Sequence, residues 1–385
     1  MKLVRSLLSL LLILLNLTLL CGCWNYQDVE KMLLVSGVAI DKNEQGDLYI
    51  ITVEVVDFEM AGSQAKQVSK FVESEGETVF DAIRNSIDII GKKLYWAHAN
   101  IVIISQDIAK EGIIQIIDFL VRDAEVKEEG YIMVSKEKTA KEVLKQEMLL
   151  PQTSSNSIDN MLNNQINVGT AYAIKSYEIV SLLEYDGISM VLPAIHLTKS
   201  SDKKTAEMDG SAVFKSDKLV GFLNNEETKS FLFIMNNIKG GLITLKEPSS
   251  SHRDTISLEI YKSKTKVKPK FSDKKLTMDI NIKTEVAISE VGTSVDYINE
   301  KRDKLKKDAE KELKASVEKV IKKVQNEFDS DIFGFGMATK AYMPSVWRNA
   351  QQKGNNLFKE LKPNIEVELI INNSALTSKV IKKGD

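Results

Sequence analysis

The chain has 385 residues, with 52 basic against 54 acidic side chains for a formal net charge of −2, and only two cysteines, Cys21 and Cys23. This balance excludes binding of nucleic acid driven by bulk charge, and two cysteines confined to the first 23 residues exclude a disulfide framework or thiolate metal site further along. The length exceeds the ~250–300 residues at which a single core stops growing, so two or three domains are expected.

At the N-terminus, Lys2 and Arg5 precede an apolar run over 7–20 that is interrupted only by Ser9, Asn16 and Thr18. These are the charged and apolar regions of a secretory signal. A bilayer span needs about 20 apolar residues, and this run is shorter. The run ends in Leu20, Cys21, Gly22, Cys23, with a branched aliphatic three before Cys23 and the smallest residue directly before it. The pattern predicts cleavage after Gly22 and lipidation of Cys23 with diacylglycerol and palmitate. Cys21 is excluded as acceptor because Leu19 and Leu20 would then fill positions that require small side chains. Paired acyl chains anchor stably where one binds only marginally. Removal of 1–22 leaves 363 residues with a formal charge of −4 and no polybasic patch beside the anchor. Net charge therefore invites neither nucleic acid nor an anionic bilayer.

Downstream, 33–40 reads as a strand, the turn cluster 41–47 follows, and 48–58 alternates as a second strand, so the two make a hairpin. A polar stretch covers 61–77. From Thr78 the period becomes helical, with Val79, Ile83, Ile87 and Ile90 on one face and Gly91 as the stop. A buried strand is predicted over 99–105, a helix over 107–120 and a strand over 131–134. Helical patterns follow at 139–149, 158–166 and 172–183, with Pro151 separating the first from the others. The charged segment 198–207 reads as a linker. Beyond it come strands at 210–214 and 218–223, a helix over 225–235 ended by Gly240 and Gly241, strands at 255–261, 276–288 and 365–371, and a long charged helix over 295–328. That helix has one apolar stripe, enough to dock on a sheet. The expected fold class is α+β or mixed α/β in three domains, each a mixed sheet with packed helices: a leader over 1–22, then 23–197, 208–245 and 250–385.

The segment Cys23-Trp24-Asn25-Tyr26-Gln27-Asp28-Val29, running into Leu34-Val35-Ser36-Gly37-Val38-Ala39-Ile40-Asp41, resembles the Ger(x)C family, the C subunits of spore nutrient germinant receptors. Three more stretches are similar to that family. They are Gly91 to Leu94 with Ala97-His98-Ala99 and 118–123; Gly210 with 212–215 and 218–221; and 331–336 with Pro344 and Trp347. Leu357-Phe358 departs from the family pattern, which has a second tryptophan there. The resemblance implies a lipoprotein on the outer face of the inner spore membrane, with three α/β domains, working beside two integral membrane subunits.

The residues themselves point to no catalytic centre, cofactor or metal. His98, His196 and His252 lack ligand partners at useful spacing. Gly91-Lys92 has neither the upstream glycine nor the following Ser or Thr of a phosphate loop, and no Gly-x-Ser-x-Gly elbow occurs. Glu73, Glu75 and Glu77 read as a solvated loop. What remains is contact: the candidate partner interface is Asp118, Arg122 and Asp123 at a helix end, where Arg122 and Asp123 read equally as an ordinary capping pair, and Phe333 or Phe335 at the Gly334-Phe335-Gly336 turn, which reads equally as exposing them or as burying them in the domain's own core. An alternative reading is a solute-binding lipoprotein of a membrane transporter; that class has two comparable lobes around an aromatic cleft, whereas here aromatics are 7% and the element order does not repeat.

Overall fold

The computed structural model describes residues 2–19, 32–61, 64–122, 127, 129–246, 255–273, 275–291, 301–353 and 356–372. Cys21, Cys23, Asp123 and His252, and with them the lipidation and cleavage site, lie outside the described residues. Lys2–Leu19 is a helix, and none of the described helices is long and apolar enough to cross a membrane.

The first sheet is built from β1 (Met32–Lys42), β2 (Tyr49–Ala61), β3 (Gln64–Gly76), β4 (Lys93–Tyr95), β5 (Ile101–Ile104), β6 (Tyr131–Ser135), β7 (Val191–Ser200), β8 (Lys203–Lys215) and β9 (Lys218–Leu223). Its order is β3-β2-β1-β5-β6-β7-β8-β9, with β4 alongside the start of β1. The centre β1-β5-β6-β7 is parallel and each flank is an antiparallel meander. The expected β1–β2 hairpin is present, its turn closed by the Asn43 side chain, which accepts from Asp47 N–H and Leu48 N–H. β5 shows why a continuous apolar run belongs at the centre: Ile101 and Ile103 enter one core while Val102 and Ile104 enter another on the opposite face. A parallel strand covered on both sides has no polar face to offer. Helices Val79–Ile90 and Ile114–Arg122 cover one face, and Ala140–Leu144 with Ser154–Asn163 the other.

The second sheet has the order β10-β11-β12-β13, from β10 (Leu242–Lys246), β11 (Thr255–Ser272), β12 (Lys275–Val291) and β13 (Lys362–Asn372). Helix Arg302–Lys323 lays Leu305, Ala309, Leu313, Val317, Val320 and Ile321 into the core beneath it and ends in a π turn, Val324–Phe328. This is the docked long helix expected from the single stripe, and the part assigned to 295–300 lies outside the described residues. The molecule is α+β.

Four readings of the sequence need correction. The polar stretch over 61–77 is largely β3, an edge strand paired to β2 along its length; an edge strand is solvated on more than one side, which removes the apolar alternation that signals a strand. The helix expected over 107–120 is broken into Gln106–Glu111 and Ile114–Arg122 at Gly112, whose φ is +132°. The linker over 198–207 is the turn of the β7–β8 hairpin, with Thr198 opposite Thr205 and Ser201 at φ +54°. Strand 255–261 runs on to Ser272. The segment 208–245, expected as a middle domain, has no sheet of its own among the described residues. β8 and β9 continue the first sheet, whereas Phe231 to Ile234 of helix Asn225–Ile234 belong to the second core.

The two halves are tied by polar contacts. Lys323 Nζ donates to Phe222 O and to Glu227 Oε2, at 2.8 Å to the latter. Ser330 Oγ donates to Phe214 O at 2.6 Å, and Met337 N–H donates to Gly187 O at 2.9 Å.

Candidate interaction surface

The residues of the family-like segments divide into buried hubs and one open surface. In β1, Ser36 Oγ donates to Glu54 Oε2 at 2.9 Å, and Glu54, fully buried on β2, also accepts from Ser69 Oγ, from the N–H groups of Ser154 and Ser155, and from Ser155 Oγ. The two amides open helix Ser154–Asn163, where a carboxylate meets the positive end of the helix dipole. Gly37 is required beside this hub, because a Cβ there would lie 2.0 Å from Ser155 Oγ. Asp41 ends the same strand and accepts from Ala140 N–H and Lys141 N–H at 2.7 and 3.0 Å, and burial outweighs these donors to push its carboxyl above the usual range. Thus Ser36, Gly37 and Asp41 fasten the central strand to two helices on one face.

The 331–336 loop is a second hub. Asp331 accepts from the N–H groups of Phe333, Phe335 and Gly336, the last at 2.7 Å. Accessible surface leaves Asp331 half-buried, yet its carboxyl is enclosed deeply enough that desolvation pushes it up to about 6 against those donors. Gly334 sits at φ +70°, and Gly336 packs so closely on Gly187 that a Cβ would come within 2.9 Å of its Cα. Phe333 and Phe335 do not face outward. They stack with ring centroids 5.2 Å apart, pack on Phe358, and are 5% and 0% exposed. Of the two readings of this turn the structure takes burial: both aromatics enter the core, because the Asp331 cap bends the chain inward.

Asp118 and Arg122 are exposed, and their side chains pair at 2.6 Å one turn apart. The hydrogen bond from Arg122 holds the Asp118 carboxyl below the usual range and raises the guanidinium. They stand on the rim of a cleft of about 520 Å³ between helices Val79–Ile90 and Ile114–Arg122, floored by Leu94 and Trp96 of the β4 region. The rim also carries exposed Phe80, with its ring 6.1 Å from Phe119 and the Arg84 guanidinium 4.7 Å above it. Phe80 and Arg84 were missed in the sequence; an aromatic and a cation four apart on the outward face of an amphipathic helix were the available signal.

Among the described residues no three His, Cys, Asp or Glu side chains converge as metal ligands. His98 is exposed, with its ring 6.1 Å from that of Tyr95. His196 lies 3.3 Å from Glu207 and 3.7 Å from Asp209, and Lys136 already holds Asp209. Glu73, placed on β3 and not in a loop, is ion-paired to Lys141 and Lys145, which lower its carboxyl against partial burial.

The recognisable residues of this α+β scaffold are largely packing hubs, and an amphipathic cleft opens at one end of its first sheet. The sequence matches the family model described as "Spore germination protein N-terminal domain" over residues 25–197 and that described as "Spore germination B3/ GerAC like, C-terminal" over 209–375. It is 25% identical to spore germination protein B3 of Bacillus subtilis (strain 168), across 89% of this chain and 91% of that protein. It is 23% identical to spore germination protein KC of the same organism, across 98% of each. The crystal structure of the GerBC protein shares its fold, with a TM-score of 0.56 and 22% identity over 88% of this chain and 97% of that one. The chain belongs to the Ger(x)C family, a family of spore germination proteins and not of enzymes.

Proposed function

We propose that this chain is the lipid-anchored C subunit of a nutrient germinant receptor, held by diacylglycerol on Cys23 at the outer face of the inner spore membrane and acting by assembly with integral membrane subunits. The observation that carries the reading is the collinear likeness of both halves to spore germination proteins. The signal-like start and the Gly22-Cys23 junction support the anchor. The cleft rimmed by Phe80, Arg84, Asp118 and Arg122 is the surface offered to a partner, since exposed aromatics and arginines are the side chains that anchor protein interfaces.

Deletion of the chain is expected to abolish the germination response to one nutrient class and to spare triggers that bypass nutrients. Cys23→Ala is expected to lose lipid labelling and release the protein, while Cys21→Ala keeps both. Phe80→Ala with Arg122→Glu, all at the surface, is expected to leave protein abundance in spores unchanged and to reduce the response at least tenfold. Deletion spores that respond normally to every nutrient, in a strain without a second receptor of this type, would sink the assignment. A full response in the double variant would remove the cleft from the partner interface.

A further inference from the structure

β11 carries Lys262, Lys264, Lys266, Lys268 and Lys270 at alternate positions, all exposed. A side-chain period of two places them on one face of the strand, as a row about 27 Å long. Their neighbours across β12 on that face are Glu285, Lys283, Asn281, Asp279 and Thr277, and across β13 they include Glu366 and Glu368. The opposite face is the one that packs on helix Arg302–Lys323, so the row looks away from the core. The carboxylates on this face are largely taken: Lys270 and Asn364 hold Asp279, Lys283 holds Glu368 at 2.9 Å, and Asn372 donates to Glu285. Among the described residues, Lys262, Lys264, Lys266 and Lys268 make no ion pair. β10 pairs with β11 only up to Glu259, so over the lysine row β11 is the outermost strand. Lysines on an edge strand deter pairing with other sheets, a task that one or two perform. Five in register create a local positive field that the net charge of the chain conceals.

We propose that this face of the second sheet lies against an anionic lipid surface, with the lysine row contacting its phosphate headgroups. The side chains select this occupant. The row has no arginine and no central aromatic, whereas protein interfaces are depleted of lysine and anchored by Trp, Tyr and Arg. Lysine is a compact charge on a flexible stem, suited to a diffuse array of phosphates and not to a shaped carboxylate. The proposal rests on the membrane anchoring proposed above: the lipid retains the chain, and the lysine row sets which side faces the bilayer.

The test is amine acetylation of the purified lipidated full chain on vesicles of phosphatidylglycerol or of phosphatidylcholine, read lysine by lysine by mass spectrometry. Lys307, Lys311 and Lys314, exposed on the outer side of helix Arg302–Lys323, serve as internal controls. The expected result is labelling of Lys262, Lys264, Lys266 and Lys268 slowed at least fivefold on phosphatidylglycerol alone, since each lysine near an anionic surface contributes roughly that factor. The protection should vanish near 1 M salt, where the screening length is about 3 Å. Equal labelling on the two vesicles, with the chain bound to both, overturns the proposal and leaves the anchor standing. Protection on phosphatidylglycerol with no retention on phosphatidylcholine supports the lysine row and refutes the anchor. Retention on neither refutes both. Protection seen only in spore membranes, and not on vesicles, overturns the lipid assignment in favour of an acidic protein.

Discussion

Glu54 gathers five donors from three elements at distances of 2.5 to 2.9 Å, so its removal strands two helix amides and the Ser155 hydroxyl in a buried site, whereas Ser36 Oγ keeps Glu54 O as an acceptor and Ser69 is only half-buried. Each stranded buried donor costs about 1–3 kcal/mol. Glu54→Ala is therefore expected to destabilise the chain by about 3–5 kcal/mol in denaturant unfolding, and a loss below 1 kcal/mol would show that the hub is dispensable. Asp331 makes a pH-dependent contribution of definite sign. Burial pushes its folded carboxyl up to about 6 from the ordinary 3.8 of an exposed aspartate, so between these pH values the folded chain holds a proton that the unfolded chain has released. The resulting stability is fully present below the lower value and is lost as pH rises through the upper one, by at most about 3 kcal/mol. Asp331→Asn, which cannot ionise, is expected to gain on the wild type as pH rises from 4.5 to 7. A constant difference between the two across that range would mean that the loop amides hold the carboxyl at its ordinary value.

Elements were legible where their pattern was local. The β1–β2 hairpin announced itself by alternation and a Gly46-Asp47 turn, and helix Asn225–Ile234 by its length and start: Asn224 caps it, accepting from Glu227 N–H while Glu227 accepts in return. Strands β4, β7 and β10 were not read from the sequence, and two further misses share one physical cause. β3 and the second half of β11 are edge segments with solvated polar side chains, so neither shows the apolar face that marks a strand, and Pro269 further argues against one although an edge strand tolerates it. The lysine row was visible as letters, but without the strand its alternation had no meaning. In the 331–336 loop the letters left direction open: glycine-flanked phenylalanines fit display or burial, and only the Asp331 cap, a contact set by fold, turns them inward. Helix Asn225–Ile234 also yields a prediction. Phe231, Leu232, Phe233 and Ile234 are each at most 4% exposed, and most of the core that buries them comes from elements later in the chain, with Tyr172, Val191, Val213 and Leu223 contributing from before. Each is worth about 1.5–3 kcal/mol of burial. A chain ending at Lys246 is expected to aggregate, and a soluble, monodisperse product in sedimentation would show that the middle segment is satisfied by the first sheet alone.

At the scale of the molecule, the resemblance of four short stretches anticipated family membership, and two of them, 34–41 and 331–336, are hubs where strands and helices are fastened. The cleft was not legible as a site. Its residues come from 80–87, 93–96 and 115–122, and only the parallel pairing of β4 and β5 with β1 brings them to one end of the sheet. The same pairing has a mechanical consequence. β1 is the first strand of the sheet, entered at Met32, and it lies at the interior of the sheet, bonded to β2 on one side and to β4 and β5 on the other. Tension applied through the preceding chain pulls β1 along its own axis, loading the flanking rungs in shear so that they share the force. A leash attached to an edge such as β3 would instead unzip them one at a time. The anchor proposed at Cys23 would thus pull on an interior strand and not on an edge.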